Sequence, residues 1–142
     1  MSQDKKYLIF AHYHSIGLIR KDIINFLNES KKYFSKIIFV STKVNKKELN
    51  KISKKIKIIK RKNVGYDFYS YKTGWKYLSK VLNNNPENKK LYFVNSSILF
   101  INPKKIIKKI DKINIKKNEF WGISRSFEMT DHIQSYFFFF SA

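Results

Sequence analysis

Ile56-Lys57-Ile58-Ile59-Lys60, running on into Arg61-Lys62-Asn63-Val64-Gly65-Tyr66-Asp67-Phe68-Tyr69-Ser70-Tyr71-Lys72, reads as a strand, a turn and the opening of a helix. Apolar and basic residues alternate from Ile56 to Lys60, which predicts a strand near the edge of a sheet. Gly65 breaks the run, and Phe68, Tyr71, Trp75, Leu78 and Leu82 then recur at helical spacing. A strand feeding a helix through a polar turn is the repeating unit of an α/β fold. Such turns are also where open α/β sheets hold their ligands.

The same unit recurs on either side. Tyr7-Leu8-Ile9-Phe10-Ala11-His12 is a short apolar strand, followed by a polar loop to Gly17 and a helical stripe at Ile19, Ile23, Phe26, Leu27 and Phe34. Lys36 to Ser41 is a second, β-branched strand, and Asn45 is placed to cap a short basic helix reaching about Lys54. Beyond the Asn83–Asn88 loop, Leu91 to Val94 makes a fourth strand ending at Asn95-Ser96-Ser97. Pro103 suits the first turn of a helix whose buried stripe is Ile106, Ile107, Ile110 and Ile113. Phe120 to Ile123 and Ser135 to Phe140 are the fifth and sixth strands. The alternation predicts an α/β three-layer sandwich with a mainly parallel central sheet, in one domain over residues 1–142. His12, Ser41, Asn63 and Asn95 are expected along one edge of it. Phe137 to Phe140 calls for a covering layer that the remaining residues do not supply, so the domain is expected to be incomplete.

Composition narrows the chemistry. There is no cysteine, hence no disulfide framework or thiolate metal site, and three scattered histidines make no metal motif. No apolar run approaches the ~20 residues of a membrane span, and the start has no signal-peptide core, so the expected location is cytoplasmic. The net charge of +20 favours anionic partners: phosphates, nucleic acid or an acidic membrane surface. All but three of the 30 basic residues are lysine, as an AT-rich coding sequence would give. The exceptions are Arg20, Arg61 and Arg125. Two of them fall in the dense polar-aromatic segments, and guanidinium is the better bidentate partner for phosphate.

Several strings, in order along nearly the whole chain, carry a resemblance. They are Phe10-Ala11-His12-Tyr13 with Gly17, Phe39-Val40-Ser41-Thr42, and Arg61-x-Asn63-x-Gly65-Tyr66-Asp67-Phe68-x-Ser70-Tyr71-Lys72-x-Gly74. Asn95-x-Ser97 follows, then Phe120-Trp121-Gly122, Ser126-x-Glu128 and His132-x-Gln134-Ser135-Tyr136-Phe137. The set resembles the rhamnan synthesis protein F family, as a C-terminally truncated member. That family looks like a branch of the GT-A glycosyltransferases, with a Rossmann-like nucleotide-sugar-binding architecture. The resemblance implies a dTDP- or GDP-linked deoxyhexose donor, such as rhamnose, and a cell-surface polysaccharide, lipopolysaccharide or lipid-linked glycan as acceptor. A peripheral position at the inner face of the cytoplasmic membrane would follow, helped by the positive surface.

Roles follow residue by residue. His12 and Tyr13 would receive the nucleobase at the end of the first strand. Gly65 would let backbone approach the ligand, with Arg61 and Lys72 neutralising phosphate and Asp67 accepting from ribose or base. Asn63, Asn95, Ser97, Trp121 and Gln134 complete the expected substrate contacts. Glu128, Asp131 and His132 are the clustered acid and base candidates. GT-A enzymes imply Mg²⁺ or Mn²⁺. Here, however, Ser96 stands where the family has an Asp, Phe100 where it has a Gly, and His14 where Asp is more typical.

Plainer readings stand beside these. Asp67 suits a helix cap, and Lys72 a solvated charge. Phe68, Tyr71 and Trp75 have core spacing, Trp121 suits packing, and His132 suits a structural hydrogen bond. Ser96 and Ser97 have no triad around them. The competing functions are a non-catalytic nucleotide-sugar or glycan-binding protein and a basic nucleic-acid binder. The latter lacks any RRM, KH or helix-turn-helix signature.

Overall fold

A computed structural model describes residues 5–85, 88–130 and 132–142. The elements are β1 (Lys5–His12), α1 (Lys21–Ser30), β2 (Lys36–Ser41), α2 (Lys46–Leu49), β3 (Lys57–Lys60) and α3 (Tyr66–Val81), then β4 (Lys89–Asn95), α4 (Pro103–Asp111), β5 (Phe120–Gly122), β6 (Arg125–Ser126), β7 (His132–Ile133) and β8 (Phe137–Ser141). The main sheet has the order β3-β2-β1-β4-β8-β5. β1 to β4 run parallel, whereas β8 is antiparallel to both β4 and β5. The fold is therefore α/β, with a mixed but mostly parallel sheet.

Strand alternation sends side chains to two cores. Leu8, Phe10, Phe39, Tyr92 and Val94 face α1 and α4, meeting Phe26, Leu27, Ile107 and Ile110. Tyr7, Ile9, Ala11, Val40, Leu91 and Phe93 face α3, meeting Tyr71 and Leu78. Helices thus cover both faces, giving three layers. The edge strand β3 is exposed or half-buried throughout, as its alternating pattern predicts.

Four expectations change. The basic helix after Asn45 is a single turn ending at Leu49, and the Asn45 side chain donates to the Ile16 carbonyl instead of capping it. Phe68 is not core: it is 65% exposed at the first turn of α3. A two-strand hairpin, β6–β7, sits between the fifth and last long strands; strands of two residues leave no pattern to read. One face of the C-terminal phenylalanine strand finds full cover within this chain. Phe137 and Phe139 are fully buried against the α1/α4 side. Phe138 and Phe140 are half-buried, stacking on Phe93 at 5.0 and 5.7 Å. Such cross-strand aromatic pairs are how an antiparallel neighbour holds register.

Candidate functional site

The strand order reverses between β1 and β4. From β1 the chain steps outward through β2 and β3, then crosses back to β4 on the far side. A crevice beyond the carboxyl ends of the strands is expected at such a switch point. His12 is paired with Ser41, Ala11 with Asn95 and Ser41 with Lys60, so the ends of β1 to β4 lie along one edge. A cavity of about 280 Å³ opens there. His12, Tyr13, Arg61, Asn63, Asp67 and Ser97 line it; Thr42, Tyr66, Ser70 and Ser96 complete the wall.

The β3–α3 turn builds one side. Gly65 (φ 72°) and Tyr66 (φ 50°) are both left-handed, and a Cβ on Gly65 would stand 2.9 Å from that of Tyr69. Arg61 closes this turn. Its Nε–H donates to Ser70 Oγ at 2.8 Å, one terminal nitrogen donates to the Lys62 and Val64 carbonyls at 2.7 and 2.6 Å, and the other donates to the Tyr66 carbonyl. Its guanidinium also lies over the Tyr69 ring. Four of the five guanidinium N–H groups are thus spent on the protein. Arg61 shapes the site; it is not a free phosphate ligand.

Asp67 lies in the first turn of α3 and does not cap it. Its Oδ2 accepts from Asn95 Nδ2 at 2.8 Å, and no partner meets Oδ1 among the described residues. Burial raises its carboxyl above the usual aspartate range, against the opposing effects of the Asn95 hydrogen bond and the Arg61 charge. Asn95, expected among the substrate contacts, is fully buried and does not line the cavity; it anchors two residues that do, Asp67 and Ser97, from behind. Its Oδ1 accepts from Ser97 N at 3.0 Å, and its own N–H donates to the Tyr136 carbonyl. Below it, Tyr71 donates to the Ser135 carbonyl at 2.8 Å, and burial together with the nearby Asp67 charge raises its phenol.

His12, only 2% exposed, is held at both nitrogens. Nε2 lies 3.0 Å from the Leu18 carbonyl and so carries the proton it donates; Nδ1, 2.8 Å from Ser41 Oγ, then accepts. Burial lowers its pKa to about 4, so the imidazole is neutral. It ties the 13–18 loop to the sheet. Thr42 Oγ1 is buried on the same wall with no hydrogen-bond partner, a state that calls for explanation in a native fold.

Ser96 holds a local position that the expected Asp could not fill. Its Oγ accepts from Tyr13 N at 3.0 Å and donates to the Tyr13 carbonyl at 3.2 Å, locking the ends of β1 and β4 together. An ionised carboxylate could not make the second bond. Phe100 is a core plug stacked on Phe26 at 4.1 Å. The residues do not fit the implied Mg²⁺ or Mn²⁺: among the described residues Asp67 is the one carboxylate lining the cavity, both His12 nitrogens are engaged, and no group of three His, Asp or Glu side chains converges.

Other expected residues stand apart from the cavity wall. Gly65 shapes the turn from behind, and Lys72 is exposed further along α3. Trp121 packs on Phe139 at 5.0 Å, Gln134 donates its N–H to the Ser124 carbonyl, and His132 Nδ1 donates to the Thr130 carbonyl at 2.7 Å. Glu128 is exposed next to the β6–β7 hairpin, and Asp131 lies outside the described residues. The expected acid/base trio is therefore not assembled at the cavity. Thr42, Tyr66, Ser70 and Ser96 were absent from the expected contacts; Thr42 and Ser96 each directly follow a strand, which is the signal that marks them. No family model matches this chain, and no curated protein or solved structure matches it significantly.

Proposed function

We propose that the cavity binds the nucleoside half of a nucleotide-sugar, and that the protein is a GT-A-like glycosyltransferase passing a deoxyhexose to a cell-surface glycan. The observation that carries the binding step is Asp67: a half-buried carboxylate, oriented by Asn95, with its second oxygen unpartnered at the cavity. A fixed acceptor of this kind suits a ribose hydroxyl or a base N–H. The exposed rings of Tyr13 and Tyr66 offer apolar faces on which a base can stack. The cavity volume of about 280 Å³ is near the lower end for small ligands, so the sugar would lie toward solvent, where an acceptor can reach it. The N-terminus of α3 favours the diphosphate charge. The transfer step rests on the motif resemblance.

One observation favours a second reading, a non-catalytic nucleotide-sugar or glycan binder: Glu128 and His132 do not line the cavity. Calorimetric titration of dTDP-, GDP- and UDP-sugars against wild type, Asp67→Asn and Asp67→Ala tests the binding step. Loss of one charged hydrogen bond predicts affinity about 10-fold or more weaker in both variants. Unchanged affinity per folded molecule in both would remove Asp67 from the site, and no binding of any nucleotide-sugar by wild type would sink the proposal. Donor turnover by wild type, followed as release of nucleoside diphosphate, separates the transferase from the binder.

A further inference from the structure

α4 carries a lysine stripe that no acid answers. Lys104, Lys105, Lys108, Lys109 and Lys112 are all exposed, and none has a carboxylate partner among the described residues. The one acid of the helix, Asp111, is paired with Lys6. The spacing i, i+1, i+4, i+5, i+8 confines the five ammoniums to about 140° of the helix circumference, opposite the buried Ile107 and Ile110. Together with Asn102 they border a shallow depression of about 330 Å³. Two aliphatic side chains stand bare where the chain enters this helix: Leu99 is 65% and Ile101 90% exposed. Charge alone would suit any polyanion. Lysines beside unburied aliphatics suit a surface with anionic headgroups above a hydrocarbon layer. A phosphodiester backbone offers Leu99 and Ile101 nothing, and the stripe contains no arginine or aromatic to read or stack a base.

We propose that the exposed face of α4, with Leu99 and Ile101, docks the protein on an anionic lipid bilayer. The lysines supply attraction, and the two aliphatics enter the headgroup boundary. The 96–102 segment begins on the cavity wall at Ser96 and Ser97, so the docked face starts near the cavity and runs from there along α4 toward the Lys6 end of β1.

Flotation of the full chain with vesicles tests this, comparing phosphatidylcholine alone with a mixture containing about one-third phosphatidylglycerol at about 0.15 M NaCl. Wild type should bind only the anionic vesicles. Lys104→Glu/Lys108→Glu/Lys112→Glu should weaken binding by about 10-fold or more. The control triple Lys72→Glu/Lys76→Glu/Lys80→Glu has the same charge and spacing, on the helix packed against the opposite sheet face, and should retain most binding. Circular dichroism checks that each variant is folded. Equal loss in both triples would show that net charge alone binds, and would overturn the proposal. Leu99→Ser/Ile101→Ser should weaken vesicle binding several-fold while leaving duplex DNA binding unchanged. No effect of that pair would overturn the entry of the aliphatics into the headgroup boundary, and duplex DNA bound more tightly than vesicles and lost with the α4 lysines would assign the face to nucleic acid instead.

Discussion

Against its lysine background the chain keeps arginine at only three positions, and two of these close turns at the carboxyl edge of the sheet. Arg61 gathers three carbonyls and a hydroxyl of the β3–α3 turn. Arg20 binds the Asp22 carboxylate through Nε and one terminal nitrogen, and reaches the Ser96 and Ile98 carbonyls beyond β4. A lysine ammonium is a single point on a flexible stem and cannot span such a set. Arg61→Lys should therefore cost about 1–3 kcal/mol in urea denaturation; an unchanged midpoint would mean that the turn holds itself. His12 gives a pH signature. Its folded pKa of about 4 lies below the ordinary 6.5, so the unfolded chain takes up the proton first as pH falls. Stability from this group is complete above pH 6.5 and is lost progressively down to about pH 4, by about 3 kcal/mol in all. His12→Gln, less stable at neutral pH, should show a flatter stability profile across that window. A profile parallel to that of wild type would mean that another group titrates there.

At the scale of the element, α3 decides how closely the site sits on the sheet. A Cβ at Gly74 would stand 2.5 Å from Ile9 Cγ2, and Ile9 is a buried β-branched residue in a central strand, unable to swing aside. Gly74→Ala gains up to about 1 kcal/mol of helix propensity but forces overpacking worth about 1–3 kcal/mol. We expect net destabilisation by thermal melting, with Asp67 displaced along with the helix. A stabilised variant would mean that the layers can slide apart. Elements with long periodic patterns were legible in the sequence: the four parallel strands and the Tyr71–Leu78 stripe fall where their periodicity puts them. The common edge of His12, Ser41 and Asn95 followed from parallel topology alone. What stayed hidden depends on contacts distant in the chain. Asp67 in the first turn reads as a cap until Asn95, 28 residues away, takes its carboxylate. Arg61 reads as a phosphate ligand until its donors are seen to close the turn. Phe68 fits the helical stripe, yet it precedes the point where α3 meets the sheet and stays exposed. Two-residue strands such as β6 and β7 are too short for any period to mark.

For the whole molecule, the dominant quantity is the net charge of +20. Packing so many like charges into one domain costs self-repulsion that the expanded chain largely escapes, so screening should favour the folded state. Four ion pairs are resolved among the described residues, each leaving at least one partner partly open to solvent, and pairs of that kind contribute little for salt to remove. The thermal midpoint should therefore rise as NaCl increases from about 0.02 to about 0.3 M. A falling midpoint would mean that attractive pairs outweigh the repulsion. The same field draws anionic ligands to the cavity edge, so salt should act on nucleotide-sugar affinity with the opposite sign, weakening it while the fold gains. The two effects can be followed in one series, by melting the protein with and without donor at each salt concentration. The stabilisation conferred by the donor should shrink as the ligand-free midpoint climbs. If both rose together, the contacts that hold the donor would have to be insensitive to screening, and the half-buried Asp67 carboxylate with the stacking faces of Tyr13 and Tyr66 would carry the binding without help from the lysines.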